Sequence, residues 1–147
     1  MLPVDAWWNS AATIEGEARS HEAGHAAAAH LLGFEVVEIF MDATHGDWGK
    51  LGAVHSRWTG PIDDIEELSF RRAIVAAAGP IVTDSWEHDR SREDRAKVAD
   101  IRFRAWSPDA WEYMVLERTR RLRRTEAFRP LHYYIVRALE RLGDFGA

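Results

Sequence analysis

The segment ARSHEAGHAAAAHLLG sets His21, Glu22 and His25 in the order His-Glu-x-x-His. On an α-helix, residues four apart lie one turn apart on the same face. Two imidazoles so placed can each aim a ring nitrogen at a single ion, with Zn–N distances near ~2.0–2.1 Å. Glu22 stands beside them, within reach of a water on that ion. Zinc lowers the pKa of such a water to roughly 7, and a nearby carboxylate then takes its proton as the oxygen attacks a carbonyl. The spacing therefore points to metal-assisted hydrolysis, with His21 and His25 as ligands and Glu22 as general base. The same residues also suit a plain helix with incidental histidines, but two His around a Glu at this spacing favour the metal. His30 is five residues past His25, about 500° further round the helix, and is read as a packing or surface residue.

Something must hold this face in place. Ala, Glu and Leu dominate the stretch from about Thr13 to Leu32, which reads as one helix, and Gly33 is placed to end it. Ala23 and Ala26 to Ala29 are small, so a neighbouring element can pack closely. Gly24 costs about 1 kcal/mol relative to Ala in a helix interior, which suggests close approach of another element beside the metal. FEVVEIFM, Phe34 to Met41, and LGAVHSRW, Leu51 to Trp58, read as strands of an antiparallel hairpin around the turn DATHGDWGK. Gly60-Pro61 breaks the chain. Asp63 or Asp64 can cap a helix through AIVAAAG, which Gly79-Pro80 should kink or end, although IVTDSW could continue it after the kink. Helices are also expected from Ser91 to about Ala105, from the Ser107-Pro108 cap, and from Thr125 onward. The expected fold is α+β and mostly α-helical. The zinc helix packs with a small antiparallel hairpin and a C-terminal helical bundle, in one domain spanning residues 1–147.

Composition narrows the chemistry. The chain of 147 residues is 46% hydrophobic and 29% charged, with no cysteine. Disulfides and thiolate metal sites are excluded, so any metal must use His, Asp or Glu. No basic start followed by an apolar run marks a signal peptide, and no apolar stretch reaches the ~18 residues that span a bilayer. A cytoplasmic location without membrane attachment is expected. Net charge is −5 but uneven: residues 101–147 hold ten Arg against six Asp and Glu, leaving that part at +4 and the first hundred residues at −9. The run Arg118 to Arg124 is read as the solvated face of an amphipathic helix rather than a nucleic-acid site, since no nucleic-acid module surrounds it.

At this point the chain resembles a known family. ARSHEAGHAAAAHLLG is similar to the zinc helix of the FtsH-type ATP-dependent metalloproteases. VVEIF with GKLGAVHSRW resembles that family's strand, glycine-bearing turn and active-site edge strand. IVAAAGPIVTDSW resembles its small-residue helix, with Pro80 where that helix is normally uninterrupted. SREDRAKVADI resembles the helix that carries the third zinc ligand, with Val98 where the family has Ala. EYMVLERTRRLRRTEAFRPLHYYIVRALERLG resembles the closing helical pair. The likeness spans most of residues 17–142 and is specific only in the zinc helix.

The resemblance implies a zinc metallopeptidase in which His21, His25 and Asp94 hold Zn²⁺ and Glu22 is the base. From residues alone an Asp at a helix N-terminus is more often a simple cap or dipole partner than a ligand, and Glu93, Asp84, Glu87 and His88 stay open as third ligands. The implied substrate is flexible or unfolded polypeptide. No GxxxxGK[ST] loop occurs, so a free-standing domain is expected, aided by an unfoldase or adaptor in trans. The strand Leu51 to Trp58 reads equally as a peptide-binding edge or a covered inner strand. His55 is read as solvent-facing, His45 and Asp47 as loop polarity, the tryptophans as packing residues, and Trp58 as a lining of the cleft. A zinc-bound module that binds without turnover is the rival reading; the oligomeric state stays open.

Overall fold

The computed structural model describes residues 10–41, 52–142 and 145–146. Helix α1 (Ser10–Leu31) leads through a turn into strand β1 (Phe34–Met41), which pairs antiparallel with β2 (Gly52–Trp58). Gly33 takes a φ of 93° at that turn, a left-handed conformation that glycine adopts without steric cost. Val36 pairs with Ser56 and Glu38 with His55, so Val37 is an extra residue bulging from β1. A two-residue strand β3 (Phe145–Gly146), not expected from the sequence, pairs with the other side of β1. The sheet order β2-β1-β3 leaves β2 at an edge. The turn at 42–50, with His45, Asp47 and Trp48, lies outside the described residues, as do Trp7 and Trp8.

Helix α2 (Ile65–Val82) starts on Asp64, whose side chain accepts from the Glu67 N–H at 3.0 Å. It runs through Pro80 for two further residues. Pro80 has no N–H to give the Ala76 carbonyl, so the helix lacks that bond, and Thr83 closes the last turn by donating its hydroxyl to the Gly79 carbonyl at 3.0 Å. A 3₁₀ turn (Asp89–Ser91) then opens α3 (Arg92–Asp100). The expected extension of α3 to Ala105 does not form. Arg102 instead folds back to donate to the Trp106 carbonyl at 2.6 Å, while Phe103 and Trp106 turn in against the core. Helix α4 (Pro108–Arg123) begins as expected, Ser107 accepting from the Ala110 N–H at 3.2 Å. Helix α5 (Phe128–Leu142) starts three residues later than expected. Thr125 donates its hydroxyl back to the Leu122 carbonyl at 2.7 Å and lies in the turn between the two helices.

The architecture is α+β and dominated by helices. The alanines of α1 explain its central place. Ala23 and Ala26 to Ala29 are buried, and α1 packs on α2 along one side and on α5 along another. Gly24 permits the tighter of these contacts: a Cβ there would stand 2.6 Å from a Val82 methyl and 3.0 Å from the Ala78 carbonyl oxygen. A second core gathers Phe70, Trp86, Val98, Trp111 and Val115 under α2, α3 and α4. It fixes α3, because Val98 is buried and its carbonyl accepts from the Trp111 indole at 2.8 Å. No described helix is long and apolar enough to cross a membrane.

Candidate metal centre

Three elements bring the site together. His21 and His25 lie one turn apart on α1, with ring centroids 4.8 Å apart. Asp94, in the first turn of α3, points at both rings. Its Oδ2 lies 2.9 Å from His21 Nε2 and 3.4 Å from His25 Nε2. Ligands at ~2.0–2.1 Å on a tetrahedral ion stand roughly 3.4 Å from one another. The His21, His25 and Asp94 donor atoms therefore form a group close enough to hold one metal ion. His25 and Asp94 are buried and His21 nearly so.

The surroundings fit an ion as well. His25 Nδ1–H donates to the Val75 carbonyl at 2.6 Å. A carbonyl can only accept, so Nδ1 carries a proton and Nε2, which faces Asp94, is the nitrogen that would meet a metal once its own proton is displaced; this outer hydrogen bond also fixes the ring. Gly79 forms the wall behind both rings. A Cβ at that position would lie 2.5 Å from His25 Nε2 and 2.8 Å from His21 Nε2. Only a residue without a side chain leaves the two ring nitrogens uncrowded.

The electrostatics show how tightly the group is coupled. Burial opposes charge on His25, but Asp94, Glu22 and the Val75 carbonyl outweigh it and hold the imidazole up to about 9. Burial would likewise raise Asp94, yet the charge on His25 and hydrogen bonds from both rings hold its carboxyl well below the usual carboxylate range. An anionic Asp94 facing two imidazoles suits a cation placed among them. Burial pushes Glu22 up, with Asp94 adding, while both imidazoles and Lys97 pull it down.

Glu22 is buried beside the ligands, under the start of β2. A Cβ on Gly52 would come within 2.9 Å of Glu22 Cγ, so glycine allows this edge strand to cover the carboxylate. The ligands, Glu22 and β2 residues 52–56 line one open cleft of about 890 Å³. Arg72, Val75 and Ala76 of α2, Lys97 of α3 and Ile101 at its end also line it.

Other sequence candidates fall elsewhere. Glu93 lines the cleft but is exposed and outside the ligand group; Asp84 and Glu87 are exposed, and His88 caps the 3₁₀ turn by accepting from the Arg90 N–H at 3.2 Å. His30 is exposed. His55 faces solvent and donates to Glu38 at 2.7 Å. Trp58 does not line the cleft. It packs edge-on to Phe34, with centroids 5.4 Å apart, and donates to the Pro61 carbonyl at the far end of the sheet. In the Arg run, Arg118 lies over the Phe70 ring and bonds Glu67 at 3.2 Å, while Arg120, Arg121 and Arg124 are exposed. Gly79 and Val75 escaped sequence reasoning. A glycine among alanines just before a proline was the signal for Gly79, whereas Val75 acts through its backbone and leaves no side-chain trace.

Fold and site together describe a small helical α+β protein with a His/His/Asp group that can hold a metal, set in an open cleft. Comparison with family models, with curated proteins and with solved structures gives no match for this chain.

Proposed function

We propose that this chain is a zinc-dependent endopeptidase acting on flexible or unfolded polypeptide. One observation carries the reading: His21, His25 and Asp94 converge beside a buried Glu22 in a cleft walled by the edge strand β2. His21, His25 and Asp94 would hold the metal. Two imidazoles and one carboxylate, without thiolate, are a donor set that suits zinc. When bound, zinc supplies Lewis acidity, which polarises a carbonyl and makes water acidic enough to lose a proton near neutral pH.

The chain's own residues would do the rest. The outer edge of β2 would bind an extended peptide through main-chain hydrogen bonds and so bring a backbone carbonyl to the ligand group. Selectivity along that edge would be modest, since main-chain contacts are common to all sequences. Glu22 takes a proton from the attacking water as its oxygen bonds to the carbonyl carbon. The C–N bond then breaks, and Glu22 delivers that proton to the leaving amine. Binding along a strand edge suits an extended chain segment rather than a folded protein; an unfoldase or adaptor acting in trans would supply such segments.

Glu22→Gln tests this assignment. It should retain one zinc per chain and lose at least a hundredfold of the cleavage rate on an unfolded protein, because proton transfer by a positioned base contributes roughly 10²–10⁴-fold. Wild-type cleavage should stop on adding a chelator and return with zinc. Equal cleavage by wild type and Glu22→Gln, or stoichiometric zinc with no chelator-sensitive cleavage by the wild type, overturns the reading.

A further inference from the structure

The carboxylates of the cleft are largely engaged, and two of its cations, Arg72 and Lys97, make no close ion pair with a described residue, although Lys97 acts at longer range on Glu22. Glu17 pairs with Arg90, Asp89 lies 3.8 Å from Arg92, and Asp94 faces the imidazoles. Glu93 remains exposed on the α3 wall. Arg72 and Lys97 also line the cleft, and both are exposed without an ion pair to any described residue. They line the same cleft from two different helices, α2 and α3. Arg72, Val75, Ala76 and Gly79 form a stripe of α2 leading away from the ligand group. Asp94 and Lys97 on α3 and Ile101, which caps it, follow at helical spacing, and Ile101 packs against the core cluster that includes Phe70 and Ala73. The same helices also bring apolar residues to the lining, Val75, Ala76 and Ile101.

We infer that this part of the cleft is a subsite for a carboxylate of the bound polypeptide, with Arg72 and Lys97 as specificity-determining residues. The inference rests on the peptide-binding reading of the cleft. Distances along the helices set the position. From Gly79 back to Arg72 is seven residues, or about 10.5 Å at 1.5 Å each. From Asp94 to Lys97 is about 4.5 Å on the same scale. An extended peptide advances roughly 3.3 Å per residue, so the acidic residue lies within about three residues of the carbonyl at the ligand group. The apolar lining suits the methylene stem of a Glu or Asp side chain, and the two cations take its head. A chain's terminal carboxylate has the same charge and could enter the same subsite.

The test reads binding rather than turnover. Zinc-loaded Glu22→Gln is titrated with fluorescein-labelled ten-residue peptides of a Gly/Ala/Phe host sequence, carrying two adjacent Glu, Gln or Lys residues placed in turn along the sequence. The C-terminus is amidated in one set and free in another. The amidated Glu peptides should bind at least tenfold more tightly than the Lys peptides, with Gln between them. Adding Arg72→Glu and Lys97→Glu together should reverse that order. If only the free-terminus peptides gain affinity, and the gain is lost in the reversed variant, the subsite takes a terminal carboxylate. Equal binding of all peptides, no binding of any, or the same order in the reversed variant overturns the inference. Wild-type protein is then assayed for cleavage of the preferred peptide. Selective binding without cleavage leaves the subsite standing and removes the peptidase reading.

Discussion

Replacing Gly79 by alanine adds one methyl group to α2 at the point where that helix meets both ligand imidazoles. The methyl carbon would start 2.5 Å from His25 Nε2 and 2.8 Å from His21 Nε2. Non-bonded heavy atoms settle near ~3.5 Å, so about 1 Å must open at His25 and about 0.7 Å at His21. The His25 ring cannot simply swing aside, because Nδ1 is tied to the Val75 carbonyl at 2.6 Å. Metal sites tolerate ligand displacements of about 0.2 Å, so the required movement is several times too large. Changing an outer partner of a metal ligand typically costs 10- to 100-fold in affinity, and this change presses on two ligands directly. Zinc affinity should fall at least a hundredfold. The fold should survive: alanine gains about 1 kcal/mol of helix propensity against about 1–3 kcal/mol of overpacking. Competition with a fluorescent zinc chelator measures the first effect, and thermal unfolding in EDTA the second. A Gly79→Ala protein that folds and binds zinc with wild-type affinity would refute the view that α2 forms the wall of a metal site.

Three further outcomes follow from the same contacts. Asp94→Asn keeps the shape of the side chain but removes the charge shared by two imidazoles; zinc affinity should drop at least a hundredfold, measured by the same chelator competition. Gly24→Ala should destabilise the protein by about 1–2 kcal/mol, because overpacking against Val82 and Ala78 exceeds the gain in helix propensity. Val82→Ala should recover part of that loss in a double-mutant cycle of urea unfolding. His132 donates from Nε2 to the Ser20 carbonyl at 2.9 Å, and burial, with the charge of Arg123 adding, lowers its pKa below 6.5 although the Ser20 carbonyl opposes this. Above pH 6.5 the ring is neutral in both folded and unfolded chains and contributes no pH dependence. Below it the unfolded chain takes up the proton first, so stability should fall as pH drops through 6.5 and level off beneath the folded value. The stability difference between wild type and His132→Gln, followed from pH 8 to 5, should show this slope; a flat difference contradicts it.

How much of this was legible in the chain differs from element to element. Helix α1 is written plainly: an alanine-rich run, a glycine that must turn left-handed at Gly33, and two histidines at helical spacing. The hairpin strands, the Asp64 cap and the Ser107-Pro108 start follow from local chemistry, and all stand in the fold. Elements set by distant contacts were harder. Asp94 lies 73 residues from His21, and its residue type at a helix start is more often a cap or dipole partner. Only the family resemblance singled it out. The early end of α3 and the late start of α5 depend on where Trp106 and Thr125 find partners after folding. The edge position of β2 was undecided because edge and inner strands share one alternating pattern. Gly79 looked like half of a helix-breaking pair, yet α2 passes through it, and its significance comes from what packs against the missing side chain.

Zinc K-edge X-ray absorption on metal-replete protein addresses the central claim most directly. The account predicts one ion per chain whose nearest shell holds two imidazole nitrogens and one carboxylate oxygen, with the carboxylate signal lost in Asp94→Ala. A protein that retains no ion after careful metal loading, or an ion bound without both His21 and His25, would contradict it.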